Sequence, residues 1–74
     1  MTPVAAHFYG GPLHGEKAFV NEERVVSVVI DARGGVATLR EVGYRRVERG
    51  RAYGGIVYEP PGDRVPYVFE DWLP

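Results

Sequence analysis

Cysteine is absent from this 74-residue chain. Disulfides, thiolate metal ligands and a sulfur nucleophile are therefore excluded, and stability must come from packing or self-association. Glutamine is also missing, lysine occurs only as Lys17, and serine only as Ser27. A single serine inside an apolar run is poorly placed to be the nucleophile of a hydrolytic triad. No stretch approaches the roughly 18 apolar residues of a membrane span, and Met1-Thr2-Pro3-Val4 leads into no basic, then apolar, targeting pattern. The expected location is the cytoplasm of a host cell, or a virion, without a membrane partner. At roughly 100–200 residues per ordinary domain, residues 1–74 are expected to form a single small domain.

What remains is an ordinary globular composition: 45% hydrophobic and 26% charged residues, with a net charge of −1. That lies outside the range of disordered chains. Valine dominates the aliphatics and arginine supplies every basic charge except Lys17. Val, Arg, Gly, Ala and Pro share GC-rich codons, so a GC-rich genome produces this bias without selection for phosphate binding. Five Tyr and three Phe are less easily explained that way and carry more weight.

The apolar run Val25-Val26-Ser27-Val28-Val29-Ile30 is β-branched almost throughout and predicts a strand over residues 24–31. The Asp31-Ala32-Arg33-Gly34-Gly35 connection and the returning run over residues 36–42 make it a central hairpin. Gly43 marks a bulge or bend at which the chain can change sheet. Beyond it, Arg49-Gly50 suits a two-residue turn. A second hairpin would then set Glu48 opposite Arg51, Arg46 opposite Tyr53 and Val42 opposite Val57, with Gly54-Gly55 inside its returning strand. Pro60-Pro61-Gly62-Asp63 ends that strand, and Pro66 assigns residues 65–69 to a sheet edge. Residues 4–9 and 17–20 read as two further short strands around a Gly10–Gly15 turn. No segment carries helical periodicity. The expected fold is all-β: a small antiparallel meander of five or six strands forming a sandwich or partly open barrel.

No catalytic constellation stands out. His7 and His14 lack further metal ligands, and the neighbours Glu22-Glu23 and Glu70-Asp71 point to opposite faces of an extended chain. Gly10-Gly11-Pro12 lacks the Lys-Ser/Thr of a phosphate loop. The chain is expected not to be an enzyme and to need no metal or cofactor. Charge, however, is uneven: residues 33–51 hold six Arg against two Glu, while residues 59–74 hold four carboxylates against Arg64. A basic ribbon of Arg40, Arg45, Arg46, Arg49 and Arg51 beside Tyr44 and Tyr53 could contact phosphates and stack bases of a single-stranded nucleic acid. Trp72 is either the closing piece of a small core or an exposed anchor. An uncovered edge strand can add a strand from another chain, so a protein partner or a homo-oligomer is expected.

The stretch His7-Phe8-Tyr9-Gly10-Gly11-Pro12-Leu13-His14-Gly15 resembles the Gly-Gly-Pro-Leu-Asp-Gly turn of short uncharacterised proteins from actinobacteriophages and their actinobacterial hosts, with His14 in place of the Asp. The resemblance implies a phage or prophage setting and a β-rich fold. The expected function is that of a non-enzymatic phage-type accessory protein that binds a host factor or itself, through an edge strand or through the Tyr/Arg hairpin with Tyr44, Arg45, Arg46, Arg49, Arg51, Tyr53 and Trp72 as contacts. Single-stranded nucleic-acid binding and a minor structural role in the virion are the alternatives.

Overall fold

The computed structural model describes residues 2–74. Seven strands follow one another: β1 (Val4–Tyr9), β2 (Lys17–Val20), β3 (Arg24–Arg33), β4 (Val36–Arg46), β5 (Ala52–Tyr53), β6 (Ile56–Val57) and β7 (Val65–Phe69). Two single-turn 3-10 helices, Gly11–Leu13 and Glu70–Trp72, complete the regular structure. The fold is all-β, and no helix is long and apolar enough to cross a membrane.

Five strands form one sheet in the order β2-β1-β7-β4-β3, and β5 and β6 form a separate two-stranded ribbon. The two edges, β2 and β3, are joined by residues 21–23 alone, which curls the sheet until it is nearly closed like a barrel. Tyr67 donates its hydroxyl proton to the Glu22 carbonyl in that connector, holding the closure from inside.

The first hairpin forms as its sequence suggests. β3 and β4 pair antiparallel without a break from Arg24↔Arg45 to Arg33↔Val36. Gly34 and Gly35, both at positive φ (58° and 79°), make a two-residue turn that side-chain-bearing residues adopt only with strain. Gly43 does not bulge. It lies where β4, until then paired only with β3, gains β7 as a second neighbour from Tyr44 onward. A Cβ at Gly43 would meet the Glu70 carboxylate and the Arg24 guanidinium, so a larger residue there would have to displace that ion pair.

The second half of the chain departs from the sequence expectation. β4 pairs with β7, not with residues 51–58: Tyr44↔Phe69, Arg45↔Val68 and Arg46↔Tyr67. Glu48 and Arg51 do meet at 3.6 Å, as an i,i+3 pair across the Arg49-Gly50 turn, while Arg51 rather than Arg46 lies over the Tyr53 ring, 5.5 Å from its centroid. Val42 faces Ser27 across the ladder, not Val57, and Gly54-Gly55 is the turn of the β5–β6 ribbon. β7 is not an edge but the middle strand of the sheet. Pro66 is accommodated because the β4 ladder ends beside it: its carbonyl accepts from Val47 N–H at 3.0 Å, and the donor it lacks would fall where β4 leaves. Nor is the sheet a pure meander, since β1 runs parallel to β7 from Ala6↔Val65 to Tyr9↔Val68.

The core lies on both faces of these inner strands. Ala6, Phe8, Val42, Tyr44 and Tyr67 are buried inside the curl, and Val47, Tyr58 and Val68 form a second cluster on the other face. Tyr44 is wholly buried, yet its hydroxyl is satisfied, donating to the Gly10 carbonyl at 2.6 Å and accepting from Leu13 N–H at 2.9 Å. The Gly10–Gly15 turn is thereby tied to β4. His14 accepts from Gly10 N–H through Nδ1 at 2.8 Å, an acceptor role a carboxylate oxygen could also fill.

Candidate interaction surfaces

Two surfaces stand out. The first is the outer part of the β3–β4 hairpin, residues 26–41, which projects from the body as an arm and contributes to a long axis of 43 Å. Opposed residues on an antiparallel pair share a face. Val25, Ser27 and Val29 with Val42 and Tyr44 therefore face the core, and Val26, Val28 and Ile30 with Leu39 face outward. Those four outward aliphatics are 46–74% exposed. An unbroken β-branched run normally marks a strand covered on both faces. Here only one face of β3 is covered.

At the base of this outward face, Glu70 bridges two arginines over Gly43, at 2.7 Å from Arg24 and 2.9 Å from Arg45. Hydrogen bonds from Arg24 and then Arg45 lower the Glu70 pKa to about 2. The cluster closes the apolar strip with an ion-paired polar end that keeps one positive charge in excess.

The two edges of the sheet differ. β2 has four residues and carries Lys17, features that protect an edge from strand addition. β3 has ten residues in continuous register, with no proline and no bulge. Its charges, Arg24, Asp31 and Arg33, lie towards the two ends, and from Val25 to Ile30 the edge is without protection.

The second surface is a cleft of about 610 Å³ between the end of β4 and the start of β7. Arg46, Arg49 and Arg64 line it beside Tyr53, together with Glu23, Glu48 and Asp63. Arg49 Nη1 donates to the Arg64 carbonyl at 3.0 Å and Arg64 Nη1 to the Ala6 carbonyl at 3.3 Å, so neutral acceptors hold both guanidiniums in place. Glu48 N–H donates to the Tyr53 hydroxyl at 3.0 Å, which fixes that ring at the cleft wall.

Of the residues expected to form a Tyr/Arg contact surface, Arg46, Arg49 and Tyr53 do come together here. Arg51 lies behind Tyr53, and Arg45 points to the opposite side, onto Glu70. Arg40 is out on the arm opposite Val29. Tyr44 is a core residue and has no exposed surface to offer. Trp72 is not part of either core cluster: its ring packs against Gly10 and 6.1 Å from the His14 ring, and 47% of the residue is exposed. Sequence reasoning missed Arg64, which reaches the cleft only through the β1–β7 crossing. It also missed the outward face of β3, although the two-sided apolar run was its signal.

Among the described residues, no group of three or more His, Asp or Glu is placed to hold a metal ion. Together these features define a small, nearly closed mixed β-barrel with a projecting hairpin arm. The chain matches no family model, no curated protein and no solved structure.

Proposed function

We propose that this protein is a non-enzymatic binding module that takes a protein strand onto the free edge of β3, in the phage or prophage setting implied by its Gly10–Gly15 motif. One observation carries the reading: a ten-residue edge without proline or bulge and uncharged from Val25 to Ile30, backed by an apolar face that the body leaves uncovered. Main-chain hydrogen bonds along such an edge supply affinity, and alternate side chains supply selectivity. The arm takes over the contact role first assigned to the Tyr/Arg hairpin.

The test is a tagged pull-down from actinobacterial lysate combined with light scattering. A stoichiometric partner, or an oligomer, whose formation protects β3 amides from hydrogen exchange and is lost in Val28→Lys supports the reading. No stoichiometric partner together with a monomer overturns it.

The cleft favours a second reading, binding of single-stranded nucleic acid. Three guanidiniums beside a fixed tyrosine ring suit a phosphate next to a stacked base. This reading requires oligonucleotide affinity that falls steeply with salt and drops in Arg46→Ala. No binding at about 50 mM salt disposes of it.

A further inference from the structure

We infer that the strand added to β3 is the β3 of a second copy of this chain, paired antiparallel about a two-fold axis at Val28. The inference rests on the edge-strand reading above and goes beyond it by naming the partner. Arg46 N–H donates to the Glu23 carbonyl at 2.8 Å. By the alternation of an antiparallel ladder, odd-numbered residues of β3 turn their backbone groups to β4 and even-numbered ones turn theirs outward. Arg24, Val26, Val28, Ile30 and Ala32 therefore present the free donors and acceptors.

A symmetric pair must match even residues with even residues, which leaves few registers. Centred on Ser27, the pair would set Glu23 against Asp31 of the second copy, a like-charge contact that costs stability. Centred on Val29, it forms no ion pair and leaves Arg24 opposite a glycine, Gly34. Centred on Val28, it sets Val28 against Val28, Val26 against Ile30, and Glu23 against Arg33, the last two occurring twice by symmetry. All five outward residues find partners, and the charges at both ends are complementary.

This register also brings the arm's tip to a place with room for it. Gly34 of the second copy falls opposite Glu22, beside a cavity of about 240 Å³ lined by Phe19, Glu22 and Val26. The tip residues Gly34 and Gly35 have no side chains, and nothing lies within 4 Å of where their Cβ atoms would be. The resulting interface is a narrow ribbon below the standard size, so the dimer is weak and depends on concentration.

The absence of cysteine gives a direct test, because a single introduced cysteine can form only an intermolecular disulfide. Hydrogen-bonded antiparallel pairs have Cα atoms about 5.5 Å apart, within the roughly 4.4–6.8 Å that a disulfide spans. Under mild oxidation Val28→Cys is expected to cross-link to twice the 8.2 kDa of one chain. Val26→Cys and Ile30→Cys should cross-link poorly alone and well when mixed. Independently, sedimentation of the unmodified chain at about 0.1–1 mM should report a dimer, and Val28→Lys should halve its mass. Glu23→Arg and Arg33→Glu should each weaken the dimer, and their combination should restore it.

A monomer at the highest of these concentrations, or equal cross-linking of all three cysteine variants, overturns the inference. A monomeric chain that still captures a foreign strand in a Val28-dependent way refutes self-pairing and leaves strand addition standing. Loss of both refutes the two together.

Discussion

The body and the arm of this protein put apolar strands to opposite ends. In the body, β7 puts Tyr67 into one cluster and Val68 into another, and both are essentially without exposed surface. In the arm, Val28 and Ile30 are 57% and 69% exposed on a strand of equal regularity. Local sequence points the wrong way, since Pro66 marks β7 as the edge and the β-branched run of β3 as the covered strand. Position in the sheet distinguishes the two: β7 has a neighbour on each side and cover on each face, while the outer part of β3 has β4 alone. Stability is thus concentrated in the body, and the arm's apolar surface is free for intermolecular use.

Substitutions of graded severity test that division. The largest effect is expected for Tyr44→Ala, which empties a wholly buried site and leaves Leu13 N–H without its acceptor; a loss of about 3–5 kcal/mol should appear in urea unfolding. His14→Ala should cost about 1 kcal/mol by removing the acceptor of Gly10 N–H, with His14→Asp recovering most of it in the same measurement. Glu70 acts through pH. Its folded pKa of about 2 lies below the usual 4.5, so its contribution is fully present above pH 4.5 and is lost as pH falls towards 2. Acid unfolding followed by circular dichroism should therefore be steeper across that window in the unmodified protein than in Glu70→Gln. The smallest effect is expected in the arm, where Leu39→Ser should change thermal stability by no more than about 0.5 kcal/mol, measured on dilute monomer. A large loss there would abolish the contrast, because it would mean that the body itself covers the strip.

How much of this could be read beforehand follows from how local each signal is. The β3–β4 hairpin was legible because one glycine pair and two β-rich runs specify it. The pairing of β4 with β7 was not. The Glu48–Arg51 attraction is real, but it operates within a turn and fixes no ladder, whereas β7 brings Tyr67 and Val68 to bury both faces at once. Pro66 misled for a related reason: a missing N–H excludes a central position only where the neighbouring ladder continues, and here it ends. In the cleft, Arg46, Arg49 and Tyr53 were legible as near neighbours in sequence. Arg64 was not, because it immediately precedes a strand, β7, whose partner β1 is distant in sequence.

That parallel pairing of β1 with β7 also governs how the protein is made. The strand at the centre of the sheet is the last in chain order. Synthesis proceeds at about 5–20 residues per second from the N-terminus. Until residues 65–69 clear the ribosome, β1 and β4 have no strand between them, and the sheet cannot close around its core. Barrel closure therefore waits until β7 has been made, with the β3–β4 hairpin able to form earlier. A ribosome stalled before residue 65 would hold a nascent chain in which β1, β2, β3 and β4 each have an open edge, instead of a sheet whose only edges are β2 and β3.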